Sequence, residues 1–142
     1  MSRTSLPPFL PPNSRRSANM RAIKSRENRS TEWRLRSMLI RTAVRGWKLH
    51  SNEVLGNPDF LFLVHRVVVF IDGCFWHGCP ICGHIPKTNK KYWQAKIARN
   101  QKRDKMYSQE LRRQGFKVIR IWECDLKAKP QRCLQRILAA LS

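Results

Sequence analysis

Acidic residues are scarce in this chain: nine Asp and Glu stand against 29 Lys and Arg, leaving a formal net charge of +20 over 142 residues. The basic excess runs from Arg3 to Arg136 instead of filling one tail. A folded body so charged repels itself unless a polyanion is its partner, and nucleic acid is the first candidate. Long apolar runs are lacking as well. No stretch approaches the roughly 18 residues of a membrane helix, and the basic segments have no clean amphipathic face, which argues against a membrane partner. The opening MSRTSLPPFLPPNSRR has no apolar core of signal-peptide length. A cytoplasmic, reducing compartment follows as the expectation. Five cysteines there read as metal ligands plus one spectator, not as disulfides.

The chain is long enough for one domain with a modest core. Residues 1–18, with four prolines and several arginines, read as a flexible basic arm, and 19–142 as the domain. A helix is predicted from Ser30, which can cap it, with Leu35, Met38, Leu39 and Ala43 as its apolar stripe and Gly46 as its end. Three β-rich runs follow: Trp47–His50, Phe60–Val64 and Val67–Ile71. The last two are nearly continuous apolar, as in strands covered on both faces. His65-Arg66 makes a tight connection between them. A long helix is predicted over Lys90–Gln114, stopped at Gly115, then a strand over Phe116–Trp122 and a closing helix over Pro130–Leu141. The order α-β-β-β-α-β-α describes a mixed α/β fold.

Carboxylates fall on the wrong faces of these helices. Glu32 lies three residues before Leu35 and seven before Leu39, so it projects with the apolar stripe. On the long helix Asn100 and Asp104 share the line of Trp93, Ile97, Tyr107 and Leu111. Either could reach only the stripe's edge, but an unpaired buried carboxylate costs several kcal/mol, so a shared polar site between helices and sheet is the economical explanation. Asp59, at a strand entrance in Asn57-Pro58-Asp59-Phe60, adds a third acid. Magnesium suits such a site, being a hard cation held by one or two carboxylates plus water and phosphate. Asp72, at the end of the next strand, is either a further ligand or the start of a turn into Gly73.

The run FIDGCFWHGCPICGH, residues 70–84, concentrates the remaining chemistry. Cys74, Cys79 and Cys82, with Cys124 beyond a later strand, have the make-up of a closed tetrahedral zinc site, structural rather than hydrolytic. His77 or His84 are the alternatives for one of its ligands. Cys133 sits among the apolar positions of the last helix and reads as a core thiol. Phe75 and Trp76, in the same loop, either cover the metal or stack on bases.

Asn19-Met20-Arg21-Ala22-Ile23, Pro58-Asp59-Phe60, Gly73-Cys74-Phe75-Trp76-His77, Tyr92-Trp93, Arg103-Asp104 and Trp122-Glu123-Cys124 occur in that order. Together they resemble the Vsr, or very short patch repair, DNA mismatch endonucleases, over nearly the whole chain past the arm. The resemblance implies a restriction-endonuclease-like fold, a structural zinc, and magnesium-dependent nicking of one strand of double-stranded DNA beside a T:G mismatch, by a monomer. It makes Asp59 the metal-binding aspartate, assisted by the backbone carbonyl of Ile71, and His77 the catalytic histidine. Glu32 and Asp104 resemble the acids that organise water around the metal. Phe75, Trp76 and Trp93 resemble the aromatics that intercalate beside the mismatch. Ile71-Asp72 stands where family members often carry Thr-His, which leaves Asp72 as a further candidate magnesium ligand. Two rivals remain: a homing or mobile-element endonuclease on the same scaffold, and a non-catalytic zinc-stapled DNA-binding module, which would have little use for inward acids.

Overall fold

Apolar alternation in the strands decides the layering. Val67 and Val69 of β3 pack with one set of helices and Val68 and Phe70 with another, so this strand is covered on both faces, as its uninterrupted apolar run requires. The computed structural model describes residues 31–142. The basic arm, the cap at Ser30 and the Asn19–Ile23 stretch lie outside the described residues.

The chain is helical over residues 31–41 (α1), followed by β1 (Trp47–Leu49), β2 (Phe60–Phe62), β3 (Val67–Asp72), α2 (Lys90–Arg113), β4 (Lys117–Trp122), α3 (Glu123–Ala128) and α4 (Pro130–Leu141). The four strands form one mixed sheet in the order β1-β2-β3-β4. β1, β2 and β3 pair antiparallel, and β3 pairs parallel with β4 through the α2 crossover. Leu35, Met38 and Leu39 of α1, Leu126 of α3 and Leu134 and Ile137 of α4 fill one face of the sheet. Leu111 of α2 packs with Leu61, Val68 and Phe70 on the other. No helix among the described residues is long and apolar enough to cross a membrane.

Several boundaries differ from expectation: β2 stops at Phe62 instead of Val64, so its connection to β3 is the four-residue turn 63–66 and not His65-Arg66 alone. α1 stops before Gly46, because Ala43 adopts φ 58° while the Val44 and Ala43 amides close onto the carbonyls of Leu39 and Ile40, a Schellman ending with alanine in the glycine position. Ala43 is therefore exposed and not part of the stripe. Beyond β4 the chain turns straight into α3, a helix absent from the predicted order, and this puts Cys124 in a helical first turn. α2 ends as expected, with Gly115 at φ 95° just past its last turn.

The topology gathers one end of the sheet. β1 and β3 finish there, β2 starts there, and β4 runs parallel to β3 and finishes beside it. His50, Asp59, Asp72 and the Cys74–Cys82 loop all hang from that end.

Candidate active site

The hairpin register brings the first group together. β1 and β2 pair Leu49 with Phe60, and the ladder continues one step as the His50 amide donates to the Asp59 carbonyl at 3.1 Å. His50 is thereby fixed beside Asp59. From α1, Glu32 reaches the same place, and its Oε1 lies 2.7 Å from His50 Nε2. Asp59 Oδ2 accepts the Ile71 amide at 2.7 Å. Burial drives the Asp59 carboxyl up to about 6, with the Ile71 amide and His50 only partly offsetting it. Glu32, His50 and Asp59 each offer a ligand atom within 4.8 Å of the others, a donor set suited to a divalent cation.

A second group faces α2. Val68, Phe70 and Asp72 alternate onto that side of β3, so Asp72 points toward Asp104 and joins His77 and Asp104 rather than Glu32 and His50. The Asp104 carboxylate bonds His77 Nδ1, and Asp72 Oδ1 lies 3.9 Å from the same nitrogen. Arg120, a half-buried arginine on β4, ties the group down. Its Nη1 donates to Asp72 at 2.9 Å, its Nε to Ser108 Oγ at 2.8 Å and its Nη2 to the Asp104 carbonyl at 3.2 Å. The guanidinium also lies 4.2 Å from the centre of the Phe70 ring. At Asp104 burial pushes the carboxyl up, but His77 and Arg120 outweigh it and hold it below the usual range. Asp72 goes the other way, raised by its burial although His77 and Arg120 both oppose the rise. The side chains open on a cleft of about 310 Å³ lined also by Gln101, Lys105 and Trp122.

Sequence reasoning expected one shared site; the structure has two groups at one sheet end. Glu32 and Asp59 stand in one, His77, Asp104 and Asp72 in the other. They are close enough for Asp72 to raise Asp59. The Ile71 amide N–H is spent on Asp59. His50, Arg120 and Ser108 were missed. An arginine between Ile119 and Ile121 in a strand was a legible signal, whereas His50 looked like an ordinary strand end.

The thiols form a third group. Cys74, Cys79, Cys82 and Cys124 place their sulfurs within 4.8 Å of one another, with 3.7 Å between Cys79 and Cys124. Four sulfurs about 2.3 Å from one tetrahedral ion stand about 3.8 Å apart, so the set fits such an ion. Burial raises the thiols of Cys74 and Cys124, the latter to about 11. Burial acts on Cys79 too, but the amides of Cys82 and Ile81 prevail and bring it to about 7. Hydrogen bonding with Cys82 adds to the rise at Cys74 and Cys124 and to the fall at Cys79. Cys133 is buried in the core, and His77 is held by Asp104 instead.

The loop between the thiols carries Phe75, Trp76 and His77. α2 grips it: Asn100 donates to the Trp76 carbonyl at 2.9 Å and Gln101 to the His77 carbonyl at 3.2 Å. Gly78, at φ 67°, passes so close that an added Cβ would lie 2.7 Å from Ile97. Phe75, Trp76 and Trp93 are half-buried and touch edge to face, with ring centres 5.0 to 5.7 Å apart. They form one aromatic block. Beside it Lys96, Arg99 and Arg103 line a cleft of about 330 Å³ along α2 with Asn100.

Known proteins share much of this sequence. The chain is 42% identical over 117 residues to the type II nicking enzyme V.NaeI of Lentzea aerocolonigenes, covering 80% of this chain and 70% of the relative. It is 41% identical over 117 residues to the type II nicking enzyme V.NmeAIP of Neisseria meningitidis, covering 82% of each. With the DNA mismatch endonuclease Vsr of Escherichia coli K12 it shares 35% identity over 116 residues, 80% of this chain and 72% of that one. The family model of the DNA mismatch endonuclease Vsr matches residues 11–82, a span that includes Glu32, His50, Asp59, Asp72, His77 and three of the four clustered thiols. The protein belongs to the Vsr DNA mismatch endonuclease family.

Proposed function

We propose that this protein is a DNA endonuclease on a restriction-endonuclease-like scaffold that nicks one strand of duplex DNA beside a T:G mismatch with the help of magnesium. The observation that carries this reading is the grouping at one sheet end of Glu32–His50–Asp59 and Asp72–His77–Asp104, with an aromatic block on the loop that bears His77. A binding module has no need of four acids and two imidazoles so arranged.

Asp59 is the proposed anchor for magnesium, which when bound supplies Lewis acidity and charge neutralisation at the scissile phosphate. His77 is oriented by the Asp104 carboxylate on Nδ1, which leaves Nε2 to take or give a proton. Arg120 keeps Asp104 and Asp72 in place. Lys96, Arg99 and Arg103 engage backbone phosphates, a contribution that falls steeply with salt. The chain's overall +20 charge does the same without regard to sequence.

Incubating the protein with matched and T:G duplexes in magnesium tests the reading. One strand of the T:G duplex should be cut and the matched duplex left whole. Equal cutting of a fully paired site would replace mismatch recognition with site-specific nicking, and no cutting of any duplex would remove the enzyme.

Zinc is the proposed occupant of the four thiols, since thiolates select it and a closed tetrahedral set leaves no open position for hydrolysis. Elemental analysis of protein purified without added metal should give one zinc per chain. Cys133→Ser should leave that ratio unchanged, whereas Cys79→Ser should lower it and destabilise the fold.

A further inference from the structure

Glu32 accepts a hydrogen bond from His50 Nε2 at 2.7 Å, and this fixes the imidazole's tautomer. A carboxylate has only lone pairs to offer, so Nε2 carries a proton, and the ring in its neutral form presents a bare lone pair at Nδ1. That nitrogen faces Asp59 Oδ1 at 3.8 Å, too far for a hydrogen bond. Asp59 Oδ2 is already occupied by the Ile71 amide, so Oδ1 is the oxygen left to bind. Two acceptors thus confront each other across a gap that neither fills. Two donors each about 2.1 Å from a shared ion stand between about 3.0 Å apart at a right angle and about 4.2 Å when opposed. The observed separation lies inside that window.

We propose that His50 is a direct ligand, through Nδ1, of the cation anchored by Asp59, with Glu32 acting as the outer carboxylate that orients it. The arrangement is the carboxylate–histidine–metal relay common in metal sites. An imidazole nitrogen in the set gives manganese(II) an advantage over magnesium, which takes oxygen ligands almost exclusively. His50 is the more exposed member, with 57% of its side chain open to solvent against 28% for Asp59, so the cation site opens to solvent on its His50 side. The proposal rests on the reading of Asp59 as a cation anchor and adds the nitrogen ligand and the metal preference.

The test uses zinc-loaded full-length protein without DNA. Bound manganese(II) is followed by electron paramagnetic resonance, and directly coordinated ¹⁴N by spin-echo modulation. His50→Asn is the variant of choice, because His50 sits at φ 47°, a left-handed conformation that asparagine adopts readily. Wild type should bind manganese with ¹⁴N modulation. His50→Asn should lose the modulation and bind manganese at least tenfold more weakly, while magnesium affinity, from competition, shifts less than threefold. Glu32→Gln should weaken manganese binding about tenfold with the modulation retained. If Asp59→Asn abolishes binding but His50→Asn keeps both affinity and modulation, His50 is not a ligand and the proposal falls alone. Binding untouched by Asp59→Asn would overturn the anchor itself.

Discussion

Asp59→Asn is expected to lower nicking by roughly a thousandfold or more while raising the melting temperature of the cation-free protein. Both effects come from one carboxylate. Losing the anchor removes the several kcal/mol of charge stabilisation that a bound cation supplies at the phosphate. The stability gain follows from burial, which raises Asp59 from 3.8 to about 6 in the fold. A raised carboxyl means that the folded protein binds the proton more tightly than the unfolded chain. Stability from this group therefore falls as pH rises from about 4 to about 6, and the whole penalty stands at neutral pH. Two units amount to at most about 3 kcal/mol. Asparagine keeps an acceptor for the Ile71 amide and carries no charge to desolvate. The variant should melt several degrees higher at pH 7.5, with the difference shrinking toward pH 4. Excess manganese or magnesium should then raise wild type and leave the variant unmoved. A variant that nicks at the wild-type rate would place the cation elsewhere. Unchanged stability across pH would mean that Asp59 is better solvated than its surroundings indicate.

The elements of the fold were legible because their periods are strong. Leu35, Met38 and Leu39 mark α1, the Val67–Ile71 run marks a strand covered on both sides, and Gly115 marks the end of α2. The end of α1 was not, since a Schellman turn can form on Ala43 without glycine. α3 is six residues long, too short for a period to declare itself. Glu32 and Asp104 announced themselves as acids on apolar faces, and each proves to hold a histidine. What the residues could not reveal was how they divide. Asp72 goes to the α2 side through strand alternation and the pull of Arg120, which enters only with the parallel pairing of β4. His50 reaches Asp59 through a hairpin register that joins positions nine residues apart, and no helical or strand period connects them. Local pattern reports a side chain's face. Pairing decides its partner.

Trp76→Ala is expected to reduce nicking of a T:G duplex by roughly a hundredfold while nonspecific duplex affinity changes less than about threefold. A wobble pair stacks less well than a Watson–Crick pair, so opening the duplex beside it costs least. A ring inserted at that step must offset a few kcal/mol of lost stacking, and at about 1.4 kcal/mol per factor of ten that range covers the expected loss. Trp76 is well placed for the work. The thiol cluster and the Asn100 bond to its carbonyl hold its backbone before DNA arrives, so little ordering entropy remains to be lost on insertion. Phe75 and Trp93 stand against it edge to face, and a block of three rings resists bending better than one. The same contacts supply the competing account, in which the rings only shield the thiols. Each aromatic pair contributes about 0.5–1.5 kcal/mol, so losing two costs roughly 1–3 kcal/mol of stability under either account, and melting temperature alone cannot separate them. The discriminating quantity is the ratio of T:G to matched nicking, measured at a temperature where both proteins are fully folded. A wedge predicts that this ratio collapses in Trp76→Ala and largely survives in Trp76→Phe, which keeps a flat ring. A ratio unchanged in Trp76→Ala, alongside a lowered melting temperature, would make the block a cover for the thiols and assign mismatch recognition to other residues.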